Sequence, residues 1–363
     1  MKIGLLGLPN VGKSALFNAL TGCSVNSQNY PFCTVDPNIS TVRVPDFRIE
    51  KLAEIYNPEK VTHAVIEFVD IAGLVNGASN GEGLGNKFLA NIREVDAVVH
   101  VVRCFENNDI IHVNGEINPK RDIEIIKLEL ILSDLEIIKR RLDKLIKLIK
   151  SDKKYESEIL FWKKIYNYLE EEQDIKNIPK TEEELKILKT LPLLSNKPTI
   201  YLCNINESEA NNFTKNKYYK IIKEIADKEN SVCICACAEL ESQLAQLDSQ
   251  EKQEYMQELG IKKCALDILI KTCYEKLNLI SFLTAGKPEV RAWTIKKGTK
   301  APQAAGVIHS DFEKGFIRAE VISFENLIKC GSVSCAKEKG LVNLEGKDYE
   351  MQDGDVVLFR FNI

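Results

Sequence analysis

The chain has 363 residues, 44% of them apolar and 28% charged, with a net charge of −4. At roughly 150 residues per domain this allows two or three domains with real cores, which excludes a disordered, collagen-like or mucin-like chain. No run approaches the roughly 18 apolar residues that a membrane span needs. Pro9, Asn10 and Lys13 interrupt the apolar N-terminus before it can serve as an export signal, so a cytoplasmic protein without a membrane partner is expected. The acidic balance argues against nucleic-acid binding by the whole surface, but leaves room for a local basic face. Eleven cysteines without an export signal read as reduced thiols. Cys233, Cys235 and Cys237 alternate as on one face of a strand, which fits a buried sheet position better than a zinc site.

In chain order, Lys2–Leu6 reads as a short buried strand entering a glycine-rich turn, and Ser14–Thr21 as the helix that follows. Val61–Val69 alternates as a strand ending at Asp70. Ala97–Val102, Thr199–Cys203 and Val232–Ala236 are compact apolar runs of the buried-strand type. Strands separated by helical segments predict an α/β fold around a mostly parallel sheet covered on both faces.

Between Asp122 and Lys150 the pattern changes. Leu128, Ile131, Leu135, Ile138, Leu142, Leu145 and Ile149 alternate spacings of three and four, a heptad seam. A helix of about 29 residues would run about 43 Å at about 1.5 Å per residue, and a second helical stretch near Glu156–Glu172 is expected to pair with it as an antiparallel arm. Lys139, Arg140, Arg141, Lys144, Lys147, Lys150, Lys153 and Lys154 cluster there against Asp143 and Asp152. The cluster reads either as a solvated face or as a phosphate-backbone contact. From Leu279 onward short strands at Arg291–Ile295, Gly315–Val321 and Val356–Phe361, with turns at Gly298 and Gly354, predict a small β-rich domain.

The chemistry concentrates at Gly7-Leu8-Pro9-Asn10-Val11-Gly12-Lys13-Ser14, which is G-x-x-x-x-G-K-S between a strand and a helix. Its backbone amides wrap phosphate oxygens, Lys13 reaches the β- and γ-phosphates, and the Ser14 hydroxyl sits on Mg²⁺. Asp70-Ile71-Ala72-Gly73 supplies a carboxylate to Mg²⁺ through water and a Gly73 amide to the γ-phosphate. Thr34 reads equally as a second Mg²⁺ hydroxyl or as an ordinary loop threonine. Asn204-Ile205-Asn206-Glu207 stands where guanine-specific proteins carry Asn-Lys-x-Asp. Ile205 removes the lysine stem over the base and Glu207 displaces the carboxylate, so ATP is expected to be preferred over GTP. Leu74 occupies the place of a water-orienting glutamine. His112 is read either as its substitute or as a loop histidine without a role, and His100 as a packed strand residue.

These motifs, together with Gly81-Glu82-Gly83-Leu84-Gly85-Asn86, Arg291–Ile295 and Gly298–Gly306, resemble the YchF or Obg-like ATPase family over Met1–Ile363. The resemblance implies an Obg-type P-loop nucleotide-binding domain at 1–120 and 190–278, a helical coiled-coil insertion at 121–189 and a TGS domain at 279–363. It further implies slow Mg²⁺-dependent ATP hydrolysis and association with the ribosome as a monomer. Nucleotide contacts then fall on Asn10, Val11, Gly12, Lys13, Ser14 and Ala15, with Ile205 touching adenine through its backbone and Asn204 and Glu207 forming the Asn-x-x-Glu motif. Ser14 and Thr34 hold Mg²⁺, His112 replaces the missing glutamine, and Cys33 matches a cysteine tied to redox sensitivity. Ala15 departs from the threonine several relatives carry. Asn10 matches an asparagine of potassium-stimulated relatives, which makes K⁺ a candidate cofactor. A nucleotide-gated adaptor with incidental hydrolysis, which contacts ribosomal RNA through the basic arm or the TGS domain, is the rival reading, and Ile205 and Glu207 disfavour a GTPase.

Overall fold

The computed structural model describes residues 1–24, 36, 38–71, 83–107, 109, 112, 115–149 and 153–362. The strands are β1 (Lys2–Leu6), β2 (Ile39–Arg43), β3 (Lys60–Thr62), β4 (Val65–Asp70), β5 (Ala97–Arg103), β6 (Thr199–Asn204), β7 (Val232–Ala236), β8 (Leu279–Ala285), β9 (Glu289–Lys296), β10 (Phe316–Ser323), β11 (Asn343–Glu345) and β12 (Asp355–Phe361). The chain divides into two compact units, Met1–Ser40 with Glu67–Ile268, and Thr41–Ile66 with Leu269–Ile363. No helix among the described residues is long and apolar enough to cross a membrane.

The first unit is built on a sheet of order β2-β4-β1-β5-β6-β7, in which β1 pairs in parallel with β4 and β5, β5 with β6 and β6 with β7. Every residue of β5, Ala-Val-Val-His-Val-Val-Arg, is buried. A parallel strand covered on both faces needs such an apolar run, because neither side meets water. The C-terminal ends of these strands carry the phosphate loop after β1, Asp70 on β4 and Asn204 on β6, so the parallel topology brings distant motifs to one edge.

Helix Pro119–Leu148 starts at Asn118, whose side chain accepts from the Arg121 amide, with Pro119 in the first turn where its missing N–H costs nothing. Its apolar seam does two jobs. Ile123 joins a core cluster with Tyr201 and Cys203 of the sheet. Farther along, Ile131, Ile138 and Leu145 pack with Ile159, Trp162, Ile165 and Leu169 of helix Glu156–Glu170, flanked by Leu135, Leu142 and Ile149. The expected helix pair is therefore present, but the heptad reading misses at Leu128, which is 43% exposed. At that level the buried positions are Ile123, Ile126 and Leu130 instead, because the helix there meets a sheet and not a helix. Between sheet and helix lies a cavity of about 80 Å³ lined by Leu6, His100, Ile126, Leu130 and Tyr201, among others.

The second unit holds a mixed sheet of order β11-β10-β12-β8-β9-β3. Phe282, Ile295, Ala304, Phe316, Val321, Val357 and Phe359 form its core, with helix Ala301–Ile308 contributing the small alanines that let it lie close. The run expected as one strand, Val61–Val69, is two: β3 pairs with β9 in this sheet and β4 with β1 in the other. Thr41–Ile66 thus groups with the C-terminal residues, although the sequence reading placed it with 1–120. The expected turns are confirmed by Gly298 and Gly354, with φ of 85° and 86°, values only glycine adopts without strain.

Candidate nucleotide site

After β1 the chain turns through Gly7–Gly12 into helix Lys13–Gly22. Two glycines are dictated by space. A Cβ on Gly7 would stand 2.7 Å from the Val101 carbonyl oxygen, and one on Gly12 would stand 2.0 Å from Asn204 Nδ2. Gly12 also has φ of 90°. It serves as the helix N-cap with no side-chain cap, so no side chain competes for the first-turn amides, the arrangement that binds an anion. Leu8, Pro9, Asn10, Gly12, Lys13, Ser14, Ala15 and Phe105 line an open cleft of about 610 Å³ around this turn.

Asn204 ties the site together. It is buried at the end of β6, its Nδ2 donates to the Val11 carbonyl at 2.9 Å, and its Oδ1 accepts from the Ala238 amide at 3.0 Å. Both ends of its amide are spent on the scaffold, so Asn204 shapes the phosphate loop and the Ala238 turn. Next to that turn, Asn206, Glu207, Ser208, Ala210, Asn211, Glu239, Leu259 and Ile261 line a second cleft of about 520 Å³. Glu207 opens a short 3₁₀ turn, Glu207–Glu209, and is exposed there. The Ile205 side chain is buried in the core with Val102, Ile123 and Ile222, and its N–H donates to the Ala236 carbonyl at 3.0 Å. A contact to adenine through its backbone would thus be left to its carbonyl.

Lys13 and Asp70, expected on phosphate and Mg²⁺, are paired with each other, the Lys13 ammonium donating to Asp70 Oδ1. Thr34, Gly73, Leu74 and Cys33 lie outside the described residues. Among the described residues no three His, Cys, Asp or Glu side chains converge as a metal cage. The Ser14 hydroxyl and the Asp70 carboxylate are hard oxygen donors of the kind that suits Mg²⁺, which keeps waters and phosphate oxygens and takes few protein ligands.

His112 is not brought to the phosphate cleft. It is 4% exposed, and its Nε2 stands 2.9 Å from Oδ2 of Asp122 in the first turns of helix Pro119–Leu148. Of the two sequence readings, a water-positioning residue or a loop histidine without a role, this conformation displays neither directly, because a buried carboxylate claims the ring. His100 is a packed strand residue, as read, and burial pushes its imidazole down to about 3. Cys233 and Cys235 lie on β7 as expected but are half-buried on this edge strand, and Cys237 falls past its end as the cap of the next helix, so the three do not share one buried strand face; all described cysteines are free thiols. Burial pushes the Cys203 thiol up, the direction of an unreactive cysteine.

Sequence reasoning missed Phe105, Glu239, Leu259, Ile261 and Asp122. The signal for Phe105 was its position just past β5: buried Arg103 holds that turn, donating to the Phe105 carbonyl at 3.2 Å and the Asn107 carbonyl at 3.0 Å. The other four belong to helices or turns whose local pattern shows only amphipathicity.

Residues 2–204 match the family model described as a 50S ribosome-binding GTPase, and residues 279–362 match the YchF GTPase C-terminal model, described as a protein of unknown function. The chain is 51% identical to the ribosome-binding ATPase YchF of Bacillus subtilis, over 99% of each chain. The chain belongs to the YchF family. The Escherichia coli O157:H7 YchF, a ribosome-binding ATPase, is 49% identical over 100% of this chain and 99% of its own. The solved Schizosaccharomyces pombe YchF GTPase superimposes with a TM-score of 0.90 at 40% identity, covering 99% of this chain and 97% of that one. A Pyrococcus horikoshii GTP-binding protein shares the fold, at a TM-score of 0.62 and 21% identity. The α/β P-loop fold read from the sequence is thereby shared with a solved YchF-family structure.

Proposed function

We propose that this YchF-family protein binds Mg²⁺·ATP and hydrolyses it slowly to ADP and phosphate, as a nucleotide-dependent switch on the ribosome. The observation that carries the ATP preference is the region around Asn204. Its amide fixes the phosphate loop, while the residue after it turns its side chain into the core and Glu207 supplies the cleft with a longer carboxylate than the aspartate of guanine-specific sites. A guanine edge needs that carboxylate at one place to accept two N–H bonds, and discrimination built on buried hydrogen bonds falls steeply when the pairing fails.

Lys13 would neutralise phosphoryl charge, the amides of Asn10 to Ala15 and of Gly73 would bind the phosphates, and Ser14, Thr34 and Asp70 would hold Mg²⁺, which when bound would supply charge compensation to the phosphate oxygens. His112 positions the attacking water once it leaves Asp122. Cytoplasmic location and a monomeric state complete the reading. Calorimetric titration of nucleotide-free protein with ATP and with GTP tests it: ATP binding tighter by about tenfold, or about 1.4 kcal/mol, is expected. Equal or tighter GTP binding returns the chain to the GTPases. K⁺ stimulation through Asn10 is part of the same reading, and equal turnover in Na⁺ and K⁺ buffers removes it.

The ribosome contact is assigned to the arm. Lys139, Arg140, Lys144 and Lys147 are exposed along helix Pro119–Leu148, and of these only Arg140 has a carboxylate, Glu136, paired to it among the described ion pairs.

A further inference from the structure

We propose that Asp122 is a positioning residue that governs where His112 stands, and that Arg121 is the partner which takes Asp122 over when His112 leaves. The inference rests on the reading of His112 as the water-positioning group and goes beyond it by naming what holds and what releases the ring.

Three observations carry it. First, the His112 ring is buried, with its Nε2 on Asp122 Oδ2 at 2.9 Å, and it does not line the phosphate cleft. Second, Asp122 is itself only 2% exposed, and its other oxygen, Oδ1, has no hydrogen-bond partner. Third, the Arg121 Nε is also buried without a hydrogen bond, and it stands 3.6 Å from that same oxygen. A buried carboxylate half satisfied by a histidine and a buried guanidinium N–H just beyond bonding distance form an incomplete pair, and each incomplete group is costly where it is.

The arrangement admits two solutions. In one, Asp122 holds His112 while the Arg121 guanidinium donates to the Glu116 carbonyl at 2.6 Å and leaves its Nε 3.6 Å from Asp122. In the other, Arg121 closes the last few tenths of an ångström onto Asp122 with a charge-assisted hydrogen bond, and Asp122 gives up its hold on His112, which lets the ring swing toward the phosphate side. Without Arg121, departure of His112 would strand a buried charge, which is the expensive outcome. With it, the exchange replaces one partner by another, so a modest gain on binding Mg²⁺·ATP is enough to shift the population.

The two residues predict opposite effects. Asp122→Asn weakens the hold on His112, raises kcat by about threefold to tenfold and tightens ATP binding, because the state that Mg²⁺·ATP favours is then already populated, whereas Arg121→Gln removes the alternative partner and lowers kcat by about threefold. The readout independent of turnover is the imidazole nitrogen spectrum of full-length protein labelled with ¹⁵N-histidine, tractable with four histidines and assigned with His112→Gln. A non-hydrolysable Mg²⁺·ATP analogue shifts the His112 signals, and Asp122→Asn shifts them the same way without nucleotide. His112 signals unmoved by the analogue, or unchanged by Asp122→Asn, overturn the proposal, as do kcat changes of the same sign in both variants. His112→Ala hydrolysing ATP as fast as the wild type sinks the catalytic reading instead, and the spectra still decide whether Asp122 controls the ring.

Discussion

Lys13, at the start of the helix that follows β1, and Asp70, the last residue of the adjacent parallel strand β4, are ion-paired at one edge of the sheet, with 10% and 21% of their side chains exposed. Each is the natural partner of something absent from the pair: the ammonium of a phosphate, the carboxylate of a hydrated cation. Nucleotide and cation together satisfy both groups, whereas nucleotide alone leaves Asp70 uncompensated. Asp70→Asn should therefore bind ATP more tightly than wild type in EDTA, while its Mg²⁺-supported turnover falls about tenfold or more. Calorimetry in EDTA and phosphate release in Mg²⁺ check the two halves; weaker EDTA binding by the variant would mean the pair does not restrain Lys13.

Asn204→Ala removes the donor to Val11 and the acceptor for the Ala238 amide. Leaving these buried backbone groups unpaired costs about 1–3 kcal/mol each, so a clear drop in unfolding midpoint is expected. ATP and GTP affinities should weaken together, because the residue shapes the loop for either base. Glu207→Asp should instead change the ATP-to-GTP ratio with little loss of stability. An Asn204→Ala variant that loses one nucleotide selectively would show that its amide reads the base.

The His100 imidazole, held down to about 3 by burial with the Lys127 charge adding to it, makes stability depend on pH with a definite sign. The unfolded chain protonates near the ordinary value of about 6.5 and the folded chain does not. This contribution is therefore present in full above pH 6.5 and is lost as pH falls toward 3, at about 1.4 kcal/mol per pH unit. Urea unfolding at pH 6.5 and 5.0 should show His100→Gln losing about 2 kcal/mol less than wild type over that interval. Equal losses would place the histidine in a native environment that accepts a proton readily.

Replacing Lys139, Lys144 and Lys147 with Gln should weaken ribosome co-sedimentation and flatten its dependence on salt, since each phosphate no longer neutralised releases about one counterion fewer. These side chains are exposed, so the unfolding midpoint should move little. Retained binding with an unchanged salt slope would assign the contact to another surface.

The parts legible in the sequence are those set by local pattern or by one compact motif. β1, β5, β6 and β7 followed from apolar runs, because a parallel strand covered by helices is mostly apolar, and two of the buried polar residues these strands do carry, Arg103 and Asn204, sit at the strand ends. The phosphate loop followed from glycines whose positions leave no room for a side chain. The arm followed from its heptads except at Leu128, where the partner changes from helix to sheet. Alternation alone could not divide Val61–Val69, since period two says that a segment is extended and nothing about which sheet receives it. The surroundings of His112 and Ile205 were not legible for a related reason. Their types suit a site, but a carboxylate ten residues onward and a core cluster from four elements decided where they went.

Helix Pro119–Leu148 is unbroken for 30 residues, about 45 Å at about 1.5 Å per residue, and it has Asp122 near one end and Lys147 near the other. One rigid rod thus joins the buried Asp122–His112 contact to the exposed lysines of the arm, so a tilt of about 5° would carry the far end by roughly 4 Å over that length.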